Sequence, residues 1–263
     1  MFDCHVHSEF SPDSTLNAYC ACEAAIKSGL DGIVFTDHLD IDFPGGWPLI
    51  DFGQYISEIS LIQDKYKDRL KVLKGIEVGI QPHVLDETLD IVNGYDFDYV
   101  LASIHVIDGI DPYVDKEYYN KDKNKAYGAY LEKILFMVKN FKSFDMAGHF
   151  DFIIRRASYA DRTLRYADHY EILDEIMKEL ILQGRGFELN TRAYADSPAD
   201  AEFDIEILKR YRQLGGELIC LGSDAHSVGY IASGFGYYAD MIREAGFKYT
   251  VHFEKRKPVF DKL

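Results

Sequence analysis

Cysteine and proline are scarce in this chain, and neither residue type cross-links or divides it. The 4 cysteines, Cys4, Cys20, Cys22 and Cys220, form no paired C-x-x-C spacing, so we predict neither a disulfide framework nor a cysteine zinc site. We interpret them as buried thiols. The 7 prolines are scattered, and no Pro/Ser/Gly-rich linker is present. A single domain over residues 1–263 is therefore predicted, a length that α/β barrels often reach.

Positive charge is also in short supply. Lys and Arg total 29 against 44 Asp and Glu, which gives a formal net charge of −15. Nucleic acids and anionic membranes are bound mainly through Lys and Arg, so this balance predicts neither of them as a partner. A small anionic substrate remains compatible with the composition, because metal ions and a few arginines can attract it locally.

Long apolar runs are absent as well. No stretch of about 20 apolar residues occurs, and Met1 is followed by charged residues and histidines instead of a basic start and an apolar core. The sequence therefore predicts neither a membrane span nor a signal peptide, and we expect a cytoplasmic location.

The chain does contain short runs of β-branched and aromatic residues that alternate with segments of helical periodicity. Continuous apolar strands joined by helices are typical of a parallel sheet. Strands are predicted at the start of the chain and at residues 31–38, 70–80, 96–105, 144–149, 186–191 and 217–226. Helices are predicted at residues 15–29, 51–68, 83–92, 123–141, 167–183, 200–214 and 236–246, followed by a short tail.

Nearly every predicted strand ends in a residue that can bind a metal ion. In an α/β barrel the loops that follow the strands converge on one mouth, so residues far apart in sequence meet there. In a doubly wound open sheet, by contrast, ligands cluster at a single switch point. The pattern therefore favours an irregular, seven-stranded (β/α)7 TIM-like barrel.

The first strand carries two histidines two residues apart. Because successive side chains alternate between faces, His5 and His7 share one face while Cys4 and Val6 share the other. Two incidental surface histidines would give the same pattern, so the interpretation depends on partners elsewhere. Such partners are present at later strand ends. The complete set of candidate ligands is His5, His7, Asp13, His38, Glu77, His105, His149, Asp224 and His226.

This set is too large for one ion. A catalytic zinc ion uses three protein ligands and keeps one position open, so nine candidates at one mouth predict two or three divalent ions. Mixed imidazole and carboxylate ligation suits Zn, Mn, Fe or Co, and the sequence does not choose among them. Glu77 lies within an otherwise apolar run, where a glutamate is costly to bury unless it is paired.

Six short motifs occur in order along the chain: His5-Val6-His7, Thr36-Asp37-His38, Gly75-Ile76-Glu77, Ser103-Ile104-His105, Gly148-His149 and Gly222-Ser223-Asp224-Ala225-His226. Together they resemble the polymerase and histidinol phosphatase (PHP) superfamily, and within it the histidinol-phosphate phosphatase branch. The resemblance extends from residue 3 to residue 226. It implies a PHP-type barrel with a trinuclear metal site.

The resemblance also implies a division of the ligands. Glu77 would bridge the first and second ions, and Asp13, Glu77 and His226 would take part in catalysis. Asp13 resembles the variant of the histidinol-phosphate branch at a position where other members often carry histidine; alternatively, it caps the helix that begins near Ser14. The implied sets are His5, His7, Glu77 and Asp224 for the first ion, Glu77, His105 and His149 for the second, and Asp13, His38 and His226 for the third.

The activity implied by the resemblance is hydrolysis of a small phosphate monoester. L-histidinol phosphate would give L-histidinol and inorganic phosphate, a step of histidine biosynthesis, by in-line attack of a metal-bridging hydroxide. Arg155 and Arg192 are predicted to anchor the phosphate, because a guanidinium group presents a planar fork to its oxygens. We interpret Arg156 as a solvated loop residue. His83 is predicted to meet the substrate or a metal-bound water, with a place on a helix face as the alternative.

Selection of the leaving group is assigned to two loops, the one around Trp47 and residues 108–119. Other functions stay open. A phosphoesterase acting on phosphotyrosine, a nucleotide or a sugar phosphate would use the same ligands, and a silent metal-binding barrel would keep the fold. An amidohydrolase also begins with His-x-His but typically needs a bridging lysine, a role that Glu77 takes in this chain. The sequence does not predict the oligomeric state.

Overall fold

The computed structural model describes residues 1–195 and 201–263 and contains a parallel barrel. Neighbouring strands pair in the order β1-β2-β4-β5-β6-β7-β8, and β3 pairs with β4 beyond β2, so β2 and β3 together fill one position. The predicted seven-position barrel is therefore confirmed, with its second strand interrupted after Phe35. The strands are β1 (Phe2–Val6), β2 (Gly32–Phe35), β3 (His38–Asp40), β4 (Lys71–Gly79), β5 (Tyr99–Ser103), β6 (Met146–Ala147), β7 (Gly186–Asn190) and β8 (Ile219–Gly222).

The barrel closes between β1 and the segment that follows β8. The backbone N–H of His7 donates to the carbonyl of Ala225 at 3.0 Å, and the N–H of Asp224 donates to the carbonyl of His5 at 2.8 Å. The buried Asp3 carboxylate accepts the N–H of Ser223 at 2.9 Å, and burial raises the pKa of this group to about 6. Closure thus joins two of the predicted ligand segments directly.

Helices cover the outside of the barrel and share one large apolar core with the outward-facing strand residues. Their apolar positions recur at helical spacing, which directs one face of each helix toward the sheet. Within the part of the chain that the structure describes, no helix is long and apolar enough to cross a bilayer. The helices are α1 (Ala18–Lys27), α2 (Phe52–Tyr66), α3 (Leu85–Gly94), α4 (Lys123–Asn140), α5 (Tyr166–Leu182), α6 (Arg192–Ala195), α7 (Ile205–Gln213) and α8 (Phe235–Glu244).

Two helix starts differ from the prediction because of capping. Helix α1 begins after Asn17, whose side chain accepts the N–H groups of Tyr19 and Cys20, and not near Ser14. Helix α7 begins after Asp204, whose side chain caps it. The predicted start of this helix, Asp200, lies outside the described residues. An Asx residue that can accept these N–H groups thus fixes each start more closely than apolar periodicity does.

The predicted tail is instead an antiparallel hairpin of β9 (Tyr249–Glu254) and β10 (Lys257–Lys262). It packs under the barrel, at the end opposite the strand C-termini. Val251 and Phe253 join the inward-facing strand residues in a second apolar cluster, and His252 stacks on Phe2 with ring centroids 3.6 Å apart. The inner cluster comprises Phe2, Cys4, Val34, Leu73, Tyr99, Leu101, Met146, Cys220, Val251 and Phe253. The hairpin therefore seals the lower end of the barrel.

Two predictions about the cysteine-bearing segments are wrong. Cys4 packs in the inner cluster and Val6 in the outer core, because the pairing of β1 with β2 shifts register between Asp3 and Val6 and breaks strict alternation. Cys20 is exposed on α1, whereas Cys4, Cys22 and Cys220 are buried as expected.

We predict that Phe253→Ala lowers the free energy of unfolding by about 3–5 kcal/mol, because it empties a core position at the sealed end. The Phe253 side chain is 3% exposed and its ring centroid lies 5.5 Å from that of Tyr99. Phe260→Ala on β10 is the matched control, since Phe260 is 48% exposed and its loss should change stability by less than about 0.5 kcal/mol. Urea unfolding of both variants measures the difference. Equal effects would mean that the hairpin does not seal the barrel.

Candidate metal centre

The structure brings all nine candidate ligands together at the C-terminal mouth of the barrel. His5 and Glu77 lie within strands, and His38 is the first residue of β3. The others stand in the loops after β1, β5, β6 and β8. Donor atoms close enough to share an ion form four overlapping groups: His5, His7 and Asp224; His5, Glu77 and His149; His38, Glu77 and His105; and His7, Asp13, His38 and His226.

Glu77 is the centre of this cluster and is fully buried. Its Oε1 lies 2.9 Å from Nε2 of His149 and 3.2 Å from Nε2 of His105, while its Oε2 lies 3.2 Å from Nε2 of His5. The Ser103 hydroxyl donates to Oε1 at 2.7 Å. Burial by itself raises the pKa of Glu77, but these three histidines hold it well below its usual range. The carboxylate is therefore ionised, and each of its two oxygens faces a candidate histidine ligand.

The histidine pair of β1 meets the late aspartate next to Glu77. Nε2 of His5 and Nε2 of His7 are 3.0 Å apart, and Oδ1 of Asp224 lies 3.2 Å from Nε2 of His7. Burial, together with the neighbouring His226 and His38, lowers the pKa of His7 well below its usual value. His7 is therefore neutral, and one of its ring nitrogens has a lone pair that can bind a metal ion.

The third group is at the open side of the mouth. Oδ2 of Asp13 lies 3.0 Å from Nε2 of His226 and 3.6 Å from Nε2 of His38. Burial opposes ionisation of Asp13, yet these two histidines lower its pKa below the usual range. Because Asn17 caps α1, the alternative role of Asp13 as a helix cap is not observed. Asp13 instead faces the cluster.

This donor set fits divalent cations. Six imidazoles and three carboxylates converge, a mixture typical of Zn, Mn and Fe sites. Oε2 of Glu77 is buried and has no hydrogen-bond donor, although buried carboxylate oxygens normally have one. A cation between Glu77 and the surrounding imidazoles would supply that missing partner. The assignment of each residue to an ion stays a prediction.

Several side chains behind the cluster hold its histidines in place. Asp37 accepts the hydroxyl hydrogens of Ser8 and Ser11 at 2.7 and 2.6 Å, and the Ser11 hydroxyl lies 3.0 Å from Nδ1 of His7. Asp37 is adjacent to His38 in the chain. Asp37 acts through Ser11 on a different histidine.

Glu188 is a site residue that sequence reasoning missed. From β7, its Oε1 lies 2.7 Å from Nδ1 of His5, and its Oε2 accepts the backbone N–H of His149 at 3.2 Å. Gly222 on the neighbouring strand makes room for it, because a Cβ there would lie 1.9 Å from Oε1. The available signal was the one that identified Glu77, an acidic residue inside an apolar strand. Asp40, two residues after His38, was missed as well.

Two candidate ligands adopt backbone conformations that side chains other than glycine rarely occupy. His149 has φ of 50° and Asp224 has φ of 49°, both in the left-handed region. Asp and His tolerate this region better than most residues, and outliers of this kind concentrate at functional sites. The sharp turn after β6 and after β8 directs each side chain back over the mouth.

A cavity of about 650 Å³ opens above the cluster. Arg155 and Arg192 both line it, as predicted for residues that meet a phosphate. Nη1 of Arg155 donates to Oδ2 of Asp224 at 2.8 Å, and the Arg192 guanidinium lies 3.4 Å from the ring centroid of Tyr230. Trp47 also lines this cavity, as do six residues of the loop after β5: Gly109, Ile110, Asp111, Tyr113, Val114 and Asp115. They belong to the two loops whose part in leaving-group selection stays a prediction.

His83 and Arg156 lie outside this cavity lining. His83 is half exposed, pairs with Oδ2 of Asp42 at 2.9 Å, and borders a separate cavity of about 640 Å³ on the other side of Phe43. The short 3-10 turn Pro82–Val84 carries it away from the mouth. The structure thus places His83 outside the pocket, contrary to the predicted contact with substrate. Arg156 donates to the hydroxyl of Tyr113 at 2.6 Å.

Comparisons with known proteins agree with this geometry. A family model described as the PHP domain matches residues 3–192. The histidinol-phosphatase of Lactococcus lactis is 34% identical over 256 residues, covering 97% of this chain and 95% of that protein. The probable histidinol-phosphatase of Clostridium acetobutylicum is 33% identical over 257 residues, covering 97% and 98%.

Solved structures give the same result. The crystal structure of the Lactococcus lactis histidinol phosphate phosphatase, in complex with Zn, L-histidinol and phosphate, superimposes with a TM-score of 0.90 and covers 99% of this chain and 98% of its own. A histidinol phosphatase structure from Listeria monocytogenes, described as putative and 22% identical, shares the fold with a TM-score of 0.78. The motifs, the barrel and the family match lead to one conclusion: the chain belongs to the PHP domain family.

Proposed function

We propose that this protein is a metal-dependent phosphomonoesterase that hydrolyses L-histidinol phosphate to L-histidinol and inorganic phosphate. The observation that carries the proposal is the set of ligand groups around Glu77, with Arg155 and Arg192 in the same pocket. The relatives named histidinol-phosphatase, which match along nearly the whole chain, support this substrate.

The ions would be held by the groups that the resemblance implied. His5, His7 and Asp224 would hold the first ion, His105 and His149 the second, and Glu77 would contact both. Asp13, His38 and His226 would hold the third. When bound, two or three divalent ions of Zn, Mn or Fe supply a water of lowered pKa and positive charge that offsets the charge of the phosphate.

The chain's own residues position the substrate. Arg155 is held by its ion pair with Asp224 and faces the pocket, so its remaining N–H groups can donate to a phosphate oxygen. Arg192 approaches from the loop after β7. Asp13 and His226 lie at the open side of the mouth, and their part in catalysis stays a prediction.

The pocket wall suits the histidinol group. Histidinol carries an ammonium group and an imidazole ring, one a cation and the other a flat aromatic surface. Trp47, Tyr113 and Phe152 provide aromatic faces, and Asp111 and Asp115 provide negative charge. Stacking and cation–carboxylate contacts would therefore both be available to this leaving group.

The same proposal places the protein in the cytoplasm and gives it no nucleic-acid or membrane partner. The net charge of −15 supports the absence of these two partners, because phosphate-rich surfaces would repel the protein. The second candidate function is hydrolysis of another phosphate monoester by the same ligands, and the assays below include one.

We expect Glu77→Gln to reduce hydrolysis of L-histidinol phosphate by at least about 100-fold, since even the loss of a residue behind the ligands costs about 10- to 100-fold. Phosphate release in the presence of Zn²⁺ or Mn²⁺ measures it, and circular dichroism checks the fold. Glu175→Gln, on the exposed face of α5, is the control and should retain full activity. Wild-type turnover in metal-free protein would contradict the mechanism.

Single alanine substitutions should distinguish the role of Arg155 from that of its neighbour Arg156. Arg155→Ala removes charge-assisted hydrogen bonds worth about 1.5–3 kcal/mol, which corresponds to a loss of roughly 10- to 150-fold in kcat/KM. Arg156→Ala should leave kcat/KM for methyl phosphate within about twofold, because Arg156 contacts Tyr113 of the pocket wall and does not line the pocket itself, whereas Arg155→Ala should lower it. Steady-state assays of both variants test this, and equal losses would remove the phosphate-anchoring role.

Substrate choice is tested by assaying L-histidinol phosphate beside phosphotyrosine. A higher kcat/KM for phosphotyrosine would overturn the proposed substrate and leave the phosphatase chemistry in place. Trp47→Ala should raise KM for L-histidinol phosphate and leave KM for methyl phosphate unchanged, because methyl phosphate lacks the imidazole and ammonium groups that an aromatic face would contact. An unchanged KM for L-histidinol phosphate would exclude Trp47 from selectivity.

A further inference from the structure

One buried carboxylate contacts two histidines that belong to different ligand groups. Asp40, the last residue of β3, lies with Oδ1 2.8 Å from Nδ1 of His105 and Oδ2 2.9 Å from Nδ1 of His38. His105 belongs to the group around Glu77, whereas His38 also belongs to the group of Asp13 and His226. Each oxygen of one side chain thus faces a different candidate ion site.

The geometry fixes which nitrogen of each ring is free to bind an ion. Nε2 of His105 faces Oε1 of Glu77 at 3.2 Å, and Nε2 of His38 faces Oδ2 of Asp13 at 3.6 Å. When Nε2 of a neutral imidazole binds a cation, Nδ1 carries the hydrogen and needs an acceptor. Oδ1 of Asp40 supplies that acceptor to His105. Oδ2 of Asp40 lies 2.9 Å from Nδ1 of His38, but the two atoms are not aligned for a hydrogen bond, and a rotation of the His38 ring would be needed to complete it. Nδ1 of His38 also lies 3.3 Å from Glu77 Oε2, but Asp40 is closer.

The fold keeps this carboxylate in place by strand register. Asp40 on β3 pairs with Gly79 on β4, and a Cβ at position 79 would lie 1.8 Å from Asp40 Oδ1. The side chain therefore occupies space that any residue larger than glycine would take. Among the described residues, the polar groups closest to the Asp40 oxygens in these contacts are the imidazoles of His105 and His38. A buried carboxylate is costly without such partners, so its placement here serves the two rings.

We propose that Asp40 is a positioning residue shared by the second and third ion groups, and that it links their occupancy. An ion bound through His105 would orient Asp40, and the oriented carboxylate would hold His38 ready for an ion at the neighbouring group. By reciprocity, the third ion would favour the second by the same factor. The inference rests on the proposed function only in that these residues hold metal ions.

The test uses full-length, zinc-loaded protein titrated with a chelator of known zinc affinity, with released zinc measured by a colorimetric indicator. In Asp40→Ala we expect two ions to leave at chelator concentrations about 10- to 100-fold lower than in the wild type, while the ion of the His5, His7 and Asp224 group leaves unchanged. Asp40→Asn retains the side-chain volume but only one acceptor oxygen, so it should weaken binding through one ring less than through the other.

Glu188→Gln is the matched comparison, because Glu188 supports His5 and touches neither His38 nor His105. It should weaken the ion of the first group and leave the two ions served by Asp40 in place. Thermal melting of the metal-free proteins separates a packing role from a positioning role. A lower Tm for metal-free Asp40→Ala with an unchanged zinc-release curve would overturn the proposal.

The remaining outcomes are distinguishable. An Asp40→Ala release curve equal to that of the wild type, or one shifted equally for all ions, would overturn the role of Asp40 alone, provided that wild-type protein hydrolyses L-histidinol phosphate. Wild-type protein that binds zinc without hydrolysing this substrate would overturn the proposed function and leave the Asp40 test valid. Wild-type protein that binds no zinc would overturn both.

Discussion

The burial of the Glu77 carboxylate at the centre of the barrel is the constraint on which the rest of the site depends. A negative charge in that position is unfavourable unless positive or hydrogen-donating groups surround it. The imidazoles of β1, β5 and β6 meet that need on one side. The second ring nitrogens of His5, His7 and His105 in turn have partners, which are Glu188, Ser11 and Asp40. The site therefore has an inner layer, the candidate ligands, and an outer layer, the polar side chains that contact those ligands from behind.

Much of the fold and of the inner layer could be predicted from the sequence. The strands are short apolar runs, and in a parallel barrel all of their C-termini meet at one mouth, so a list of strand-end residues becomes a list of neighbours. His149 and Asp224 were found in this way, although they are far apart in the chain. The central place of Glu77 followed from its charge within an apolar strand.

The outer layer could not be predicted in the same way, because it depends on register. Asp40 contacts His105 only because β3 and β5 both flank β4, and Glu188 reaches His5 through space left by Gly222. A one-residue shift in β1 likewise separates Cys4 from Val6, which alternation alone would place together. The C-terminal hairpin was missed because, among the described residues, its two strands pair with each other and not with the strands of the barrel. The prediction for His83 was wrong for a different reason: this residue lies in a 3-10 turn that places its side chain outside the pocket.

The hairpin under the barrel has a consequence for how substrate enters the site and how products leave it. Since Val251 and Phe253 fill the lower end, the interior of the barrel is closed there among the described residues. Ions, substrate and both products would therefore pass through the cavity at the opposite end, which Trp47 and Tyr113 line. In the proposed reaction the phosphate would lie against the ligands at the closed side and the alcohol nearer to the opening. In that arrangement the alcohol would stand between the phosphate and the opening, so it would leave before the phosphate.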